Sequence, residues 1–447
     1  MPPDASTEVR SALERRLRFT VTGVVQGVGF RPYVHRLATE LNLRGFVGND
    51  AAAVFAEVQG LADALGEFAR RLPAEAPPLS VVTSVSAVPI AAVSREVGFV
   101  VVASRQAPGA RTFVAPDVAT CDPCLTEMFD PVDRRYRHAF ITCTDCGPRF
   151  TIIRDLPYDR PSTTMAGFPM CAACAREYEN PAHRRFHAQP VACRDCGPTL
   201  WFERDRARVA DGDGAIEKAQ KLLREGGIVA IKGTGGFHLA CRADDPAAVT
   251  RLRERKARIE KPFAVMARDL TVVNRLVLMD DEEQRVLTSM ARPIVLMHRR
   301  STALVTDAVA PGNPLLGVML PYTPLHHLLF APVPGVDIES PDVLVMTSAN
   351  ISDEPLCFDD ADAASRLPLL ADAFLTHDRP IHVPCDDSVV RVVDGHELPI
   401  RRSRGYAPLP VPLGGKLPVT LAVGAELKNT CCLIDGSDAF CSAHIGD

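Results

Sequence analysis

The sequence predicts a multidomain α/β (α+β) protein, about three complete domains and the start of a fourth, on three observations. A length of 447 residues, 47% hydrophobic and 23% charged, is enough to bury several cores. Strand-like and helix-like periodicities alternate on both sides of a cysteine-rich stretch, and within that stretch one cysteine pattern occurs twice. The parts are expected at residues 15–105, 117–200, 212–408 and 418–447.

The first part reads as a βαββαβ-like order, the ferredoxin-like plan of a small α/β sandwich. LRFTV alternates with Leu17, Phe19 and Val21 on one face, and PYVHRLATELNL has helical spacing at Val34, Leu37 and Leu41. GFVGN and AVFAEVQ follow as strands, LADALGEFARRL as a second helix, and VVTSVSAVPI and GFVVVA as closing strands. A linker is expected from Gln106 to Pro116.

The second part shows little secondary-structure signal but a clear duplication. Cys121, Cys124, Cys143 and Cys146 recur fifty positions later as Cys171, Cys174, Cys193 and Cys196, and CTDCGPRF is echoed by CRDCGPTL. Each copy is Cys-x2-Cys-x18-Cys-x2-Cys, and four thiolates saturate a tetrahedral Zn²⁺ with no position left for water. Two structural zinc sites are therefore expected. Spacing leaves open whether the copies exchange pairs, and one copy per zinc is taken as the expectation. His138, His183 and His187 are expected in surface or packing roles, since four cysteines are already at hand in each copy. Cys241, Cys357, Cys385, Cys431, Cys432 and Cys441 lack such pairing and are expected to be ordinary thiols.

The third part is a long α/β domain. GGIVAIKG is a buried strand, PAAVTRLRERKA a helix, PFAVMA and PIVLMH further strands, and DVLVMTSAN a strand running into a polar loop. SVVRVVDGHELPIRR is a hairpin turned at Asp394-Gly395. After the Pro/Gly-rich PLPVPLGGKLP, VTLAVG and NTCCLID look like the first strands of a fourth domain whose core is not completed by Asp447, so exposed strand edges and apolar faces are expected.

Composition narrows the function classes. A net charge of −5 gives no global attraction to nucleic acid or membrane, and residues 121–196 balance ten arginines against ten acidic residues. The first 22 residues carry seven charged side chains and no apolar run, so a cytoplasmic location is expected, and the paired cysteines read as metal ligands rather than disulfides.

The chemistry is carried by loops. In GVVQGVGFRPYVHRL, Gly27 and Gly29 permit a tight turn whose N–H groups, with the helix dipole, surround an anion, and Arg31 adds a fork of donors suited to phosphate. Eighteen residues on, Asn49 ends a strand where its amide can orient a water. These residues resemble the acylphosphatase family, whose Q-G-V-x-F-R signature stands as Gln26, Gly27, Val28, Gly29, Phe30 and Arg31. The resemblance implies that Arg31 binds an acyl phosphate and Asn49 positions the attacking water.

In the third part, Lys256, Arg258 and Lys261 lie on or just after one helix, and Ser348 and Asn350 follow a strand end, where α/β ligand sites tend to lie. Together they resemble the YrdC-like family that makes carbamoyl-adenylates, whose Lys-x-Arg and Ser-x-Asn motifs match Lys256, Arg258, Ser348 and Asn350; ATP with Mg²⁺ is the implied ligand. RRSRGYAP at 401–408 is a further basic loop able to close over phosphate oxygens.

Taken in order, the three parts resemble the HypF family, the carbamoyltransferases of nickel–iron hydrogenase maturation, with the final segment similar to the opening of an ASKHA-type domain. That resemblance implies hydrolysis of carbamoyl phosphate to carbamate and adenylation to carbamoyl-AMP with release of pyrophosphate. It also implies transfer to the C-terminal cysteine of HypE, a step the incomplete last segment puts in question. Threonylcarbamoyl-adenylate synthesis for tRNA modification, a zinc scaffold without catalysis, and stand-alone acyl-phosphate hydrolysis are the competing readings.

Overall fold

The computed structural model describes residues 14–50, 52–94, 96–105, 113–351, 354–424 and 430–442. Residues 106–112 of the expected linker, Ser352 and Asp353 of TSANISDEP, and residues 425–429 and 443–447 of the last segment lie outside the described residues, as do residues 1–13. The chain divides into two compact units. One holds residues up to 115 with 142–145 and 153–191, and the other holds 116–141, 146–152 and the residues from 192 onward.

The first unit is built on five strands, β1 (Glu14–Val24), β2 (Arg44–Asn49), β3 (Val54–Leu61), β4 (Val81–Ile90) and β5 (Phe99–Val101), ordered β4-β1-β3-β2-β5. β5 runs parallel to β2 and the other pairings are antiparallel. Helices Phe30–Glu40 and Ala62–Ala74 bury Val34, Leu37, Phe68 and Leu72 with Phe19 and Val21 of β1. Phe68 meets Phe19 edge to face at 5.1 Å between centroids. Each such side chain, fully buried, contributes about 1.5–3 kcal/mol. The expected β1 face is present, though Leu17 is only half-buried. Its neighbour Arg16 is buried instead, held by Glu57 at 3.0 Å and by Glu96.

In the cysteine region, helices Asp122–Phe129 and Ala172–Glu179 begin directly after Cys121 and Cys171. Eight residues make barely two turns, too few for an apolar stripe to be read from sequence.

The second unit contains one large mixed sheet. Its strands are β6 (Leu200–Arg204), β7 (Ala207–Asp211), β8 (Val229–Lys232), β9 (Phe237–Arg242), β10 (Ala264–Ala267), β11 (Val277–Leu278), β12 (Ile294–Arg299), β13 (Leu315–Met319), β14 (Val343–Ser348), β15 (Ala373–His377), β16 (Val389–Val393) and β17 (His396–Arg401). Their order is β17-β16-β12-β13-β10-β14-β9-β8-β15-β6-β7, with β11 beside β12. Leu239, Val249, Leu252, Phe263, Val265 and Val345 lie in the core between the sheet and its helices. The β16–β17 hairpin turns at Asp394-Gly395, both with positive φ (51° and 74°), the geometry a two-residue hairpin needs.

β18 (Val411–Val423) and β19 (Cys431–Cys441) pair antiparallel. The strand expected to follow the Pro/Gly-rich stretch begins within it, at Val411, and the β18 ladder shifts register between Pro412 and Leu417 and again before Thr420, because proline has no N–H to give. Val419, Leu421 and Val423 are exposed along this strand, as expected of an uncovered apolar face. Among the described residues no helix is long and apolar enough to cross a membrane.

Candidate functional site

In the first unit, the loop between β1 and helix Phe30–Glu40 turns through Gly27 and Gly29, both at positive φ (73° and 75°), where a Cβ would be strained. Arg31 is the second residue of the helix and is buried. Its guanidinium donates to Ser104 Oγ at 3.0 Å and to Asp159 Oδ1 at 2.8 Å. Gln26 Nε2 donates to the Asp50 carbonyl at 2.7 Å, which ties the loop to the residue after Asn49. The Asn49 side chain is wholly buried, and neither its nitrogen nor its oxygen has a hydrogen-bond partner. A buried orphan amide costs about 1–3 kcal/mol, so it is retained where a ligand or water completes it. The Asn49 carbonyl accepts the N–H of Arg105, adjacent to Ser104, so Arg31 and Asn49 converge on the same short segment.

The eight paired cysteines form two groups, Cys121, Cys124, Cys143 and Cys146, and Cys171, Cys174, Cys193 and Cys196, with all sulfurs of a group within 4.8 Å of one another. Each group is one copy of the repeat, as expected. Zinc–sulfur bonds of about 2.3 Å in a tetrahedron place sulfurs about 3.8 Å apart. Cys124 and Cys146 Sγ are 3.6 Å apart and Cys193 and Cys196 Sγ 3.8 Å apart, so the donor set fits Zn²⁺. The histidines stand outside both groups: His138 packs on Phe140, His183 Nδ1 accepts the Arg185 N–H, and His187 packs on Phe186 and Tyr178. The duplication extends beyond the ligands. Arg135 donates to the Ala192 carbonyl at 2.9 Å, and its repeat mate Arg185 donates to the Thr142 carbonyl at 3.0 Å.

In the second unit, helix Pro246–Arg255 is capped by Asp245, which accepts the N–H groups of Ala247 and Ala248, and it ends at Lys256. Lys256 is fully buried. Its ammonium donates to the Ser348 carbonyl at 2.7 Å, to Asn350 Oδ1 at 3.0 Å and to the Asn350 carbonyl. Ser348 Oγ donates to Asn350 Oδ1 at 2.7 Å, and Asn350 Nδ2 donates to the Glu354 carbonyl at 2.7 Å. Arg258 donates to the Pro262 carbonyl at 2.7 Å and to Thr347 Oγ1 at 3.4 Å. Lys256, Arg258, Ser348 and Asn350 are thus brought together at the end of β14. Beside them lies a cavity of about 310 Å³ lined by Arg258, Lys261, Ser348, Asp386, Asp387 and Arg401 among others, within the range of small-ligand sites.

Sequence reasoning missed the acidic half of this cavity. Asp387 accepts from His238 Nε2 at 2.9 Å and from Arg404 Nε at 2.7 Å, and Asp386 pairs with Arg401 at 2.6 Å. Burial alone would raise the Asp387 carboxyl, but Arg404 and His238 more than offset it and hold it well below the usual carboxylate range. The basic loop RRSRGYAP is therefore committed internally at Arg401 and Arg404. Lys232, at the head of KGTGGFHL, is likewise engaged, donating to the His377 carbonyl at 2.9 Å and pairing with Asp360. The adjacent Asp386-Asp387 pair was the available signal, since neighbouring buried carboxylates need cations.

Four family models match successive stretches of the chain. The acylphosphatase family matches residues 17–101, the HypF finger residues 120–153 and 170–203, the family described as telomere recombination (Sua5, YciO, YrdC) residues 221–403, and the HypF Kae1-like domain residues 416–447. Carbamoyltransferase HypF2 of Cupriavidus necator is 52% identical over 97% of this chain and 55% of its own length. Carbamoyltransferase HypF of Synechocystis sp. is 47% identical over 96% of this chain and 55% of its own length. The crystal structure of full-length HypF in the phosphate- and nucleotide-bound form superposes with a TM-score of 0.90 at 45% identity, over 97% of this chain and 56% of that one. The chain spans about 55% of the length of these curated relatives, and over nearly all of its own length it belongs to the HypF carbamoyltransferase family.

Proposed function

We propose that the chain hydrolyses carbamoyl phosphate in its first unit and adenylates the resulting carbamate with ATP in its second, serving transfer of the carbamoyl group to the C-terminal cysteine of HypE. The observation that carries this reading is the buried Arg31 beside a two-glycine turn, with the unpartnered amide of Asn49 at the neighbouring strand end. Arg31 and the loop N–H groups hold the phosphoryl oxygens, and Asn49 orients a water for attack. The bond from the phosphoryl group to the carbamoyl oxygen breaks, water supplies the new oxygen on phosphorus, and carbamate and inorganic phosphate leave.

In the second step a carbamate oxygen attacks the α-phosphorus of ATP, and pyrophosphate departs with its bonding electrons. Arg258 and Lys256 counter the growing negative charge, while Lys256, with all three of its donors engaged, also braces the Ser348–Asn350 turn. Mg²⁺ accompanies the triphosphate and neutralises part of its charge. Zn²⁺ fills the two cysteine groups as a structural ion, since four thiolates leave it no open position.

The test is phosphate release from carbamoyl phosphate by the wild-type chain and by Asn49→Ala and Arg31→Ala. Loss on the order of 10²-fold or more in each variant is expected, the usual scale for removing a positioned polar group. Undiminished release by both would sink the assignment.

A further inference from the structure

We infer that Asp159 is the counter-ion of the Arg31 anion site and that its negative charge limits how tightly the site holds phosphate. This inference rests on the reading of Arg31 as the acyl-phosphate arginine. Asp159 lies 128 residues beyond Arg31, outside the βαββαβ domain, yet its Oδ1 is 2.8 Å from the guanidinium. The backbone on either side of it is clamped. The Tyr158 N–H donates to Gln26 Oε1 in the glycine loop at 3.3 Å, and the Arg160 N–H donates to Gln189 Oε1 at 2.7 Å. The Arg160 guanidinium adds bonds to the carbonyls of Gln189, Val191 and Phe168. Asp159 is thus built into place against Arg31.

The pairing does not consume the guanidinium. Its hydrogen bonds, to Ser104, Asp159 and the Tyr158 carbonyl, run from the two terminal nitrogens, and Nε–H has no acceptor among the described residues. An anion can therefore bind Nε–H and the loop N–H groups while Asp159 stays in position. With Asp159 present, the Arg31–Asp159 pair carries no net charge, and a phosphate dianion meets a like charge close by. A hydrolase whose product is phosphate gains from this arrangement, because the carboxylate opposes retention of the product.

The experiment uses the intact chain and inorganic phosphate. Phosphate binding is measured by calorimetry, and carbamoyl phosphate hydrolysis by initial rates with phosphate as inhibitor, in wild type, Asp159→Asn, Asp159→Ser, Ser104→Ala and Arg31→Ala. Asp159→Asn keeps an oxygen to accept from Arg31 but deletes the charge. It is expected to bind phosphate about tenfold more tightly, the order expected for removing one like charge beside a partly buried ligand, with the inhibition constant and KM falling together. Asp159→Ser is expected to tighten phosphate binding likewise. Ser104→Ala, which loosens Arg31 without changing charge, is expected to stay within about twofold of wild type. Phosphate binding no tighter in both Asp159 variants overturns the inference, as does an equal gain in Ser104→Ala. If the wild-type chain fails to hydrolyse carbamoyl phosphate and Arg31→Ala binds phosphate as well as wild type, the reading of the Arg31 site itself falls and the inference with it.

Discussion

Lys256 Nζ lies 3.0 Å from Oδ1 of Asn350, 94 residues further along the chain, and the same oxygen accepts the hydroxyl of Ser348 at 2.7 Å. One ammonium thus fixes both the Lys-x-Arg end of a helix and the Ser-x-Asn turn after β14. Lys256→Arg should not replace it, because a planar fork cannot reproduce three donors converging from one nitrogen. Pyrophosphate release is expected to fall on the order of 10²-fold or more in Lys256→Arg and Lys256→Ala, while phosphate release from carbamoyl phosphate stays near wild type. Loss of both activities together would contradict separate sites.

Metal analysis of purified protein is expected to find two zinc ions per chain. Cys124→Ala and Cys174→Ala should each remove one ion, since each cysteine belongs to a different group. Because structural zinc contributes directly to folding, either variant should also lower the thermal midpoint. Full zinc content in both variants would overturn the one-copy-per-ion assignment.

Asp387 is buried between Arg404 and His238. Asp387→Asn leaves the Arg404 guanidinium without its charged partner, and denaturant unfolding should register a loss of about 3–5 kcal/mol, the scale for breaking a buried pair from one side. A change within about 0.5 kcal/mol, the scale of a surface substitution, would mean that the pair is not structurally required.

Several buried histidines give a pH dependence of definite sign. Burial pushes His326 and His377 well below the ordinary imidazole value of 6.5, and brings His327 down to about 4. As pH falls through about 6.5 the unfolded chain takes up protons at these rings and the folded chain does not, so stability drops from there downward. For His327 the loss levels off below about 4. Denaturation midpoints at pH 7.5, 6 and 5, taken at constant zinc content, should decrease in that order, and His327→Phe should flatten the slope. A midpoint that rises on acidification would contradict this.

What could be read from the sequence was whatever repeats or has a local period. The cysteine pairs recur at a fixed offset, the strands of the first unit alternate, and the glycine loop announces itself before a helix, so the two cysteine groups and the Arg31 loop were legible. Asp159 and Asp387 were not, because Asp159 meets Arg31 across 128 residues and Asp387 meets His238 across 149, with only Arg404 near it in sequence. Nothing in the local pattern distinguishes Asp159 from a solvated aspartate, and for Asp387 the one local signal is its neighbour Asp386. The start of β18 was placed too late for the opposite reason. The strand was expected only after the Pro/Gly-rich stretch, and pairing with β19 carries it back to Val411 at the cost of two register shifts.

The most direct test is pyrophosphate release from ATP by the purified chain, with and without carbamoyl phosphate, in wild type and Arg31→Ala. Two sites working in series require release that depends on carbamoyl phosphate and disappears in the variant. Phosphate released from carbamoyl phosphate with no pyrophosphate from ATP would contradict the adenylating role of the Lys256–Asn350 site.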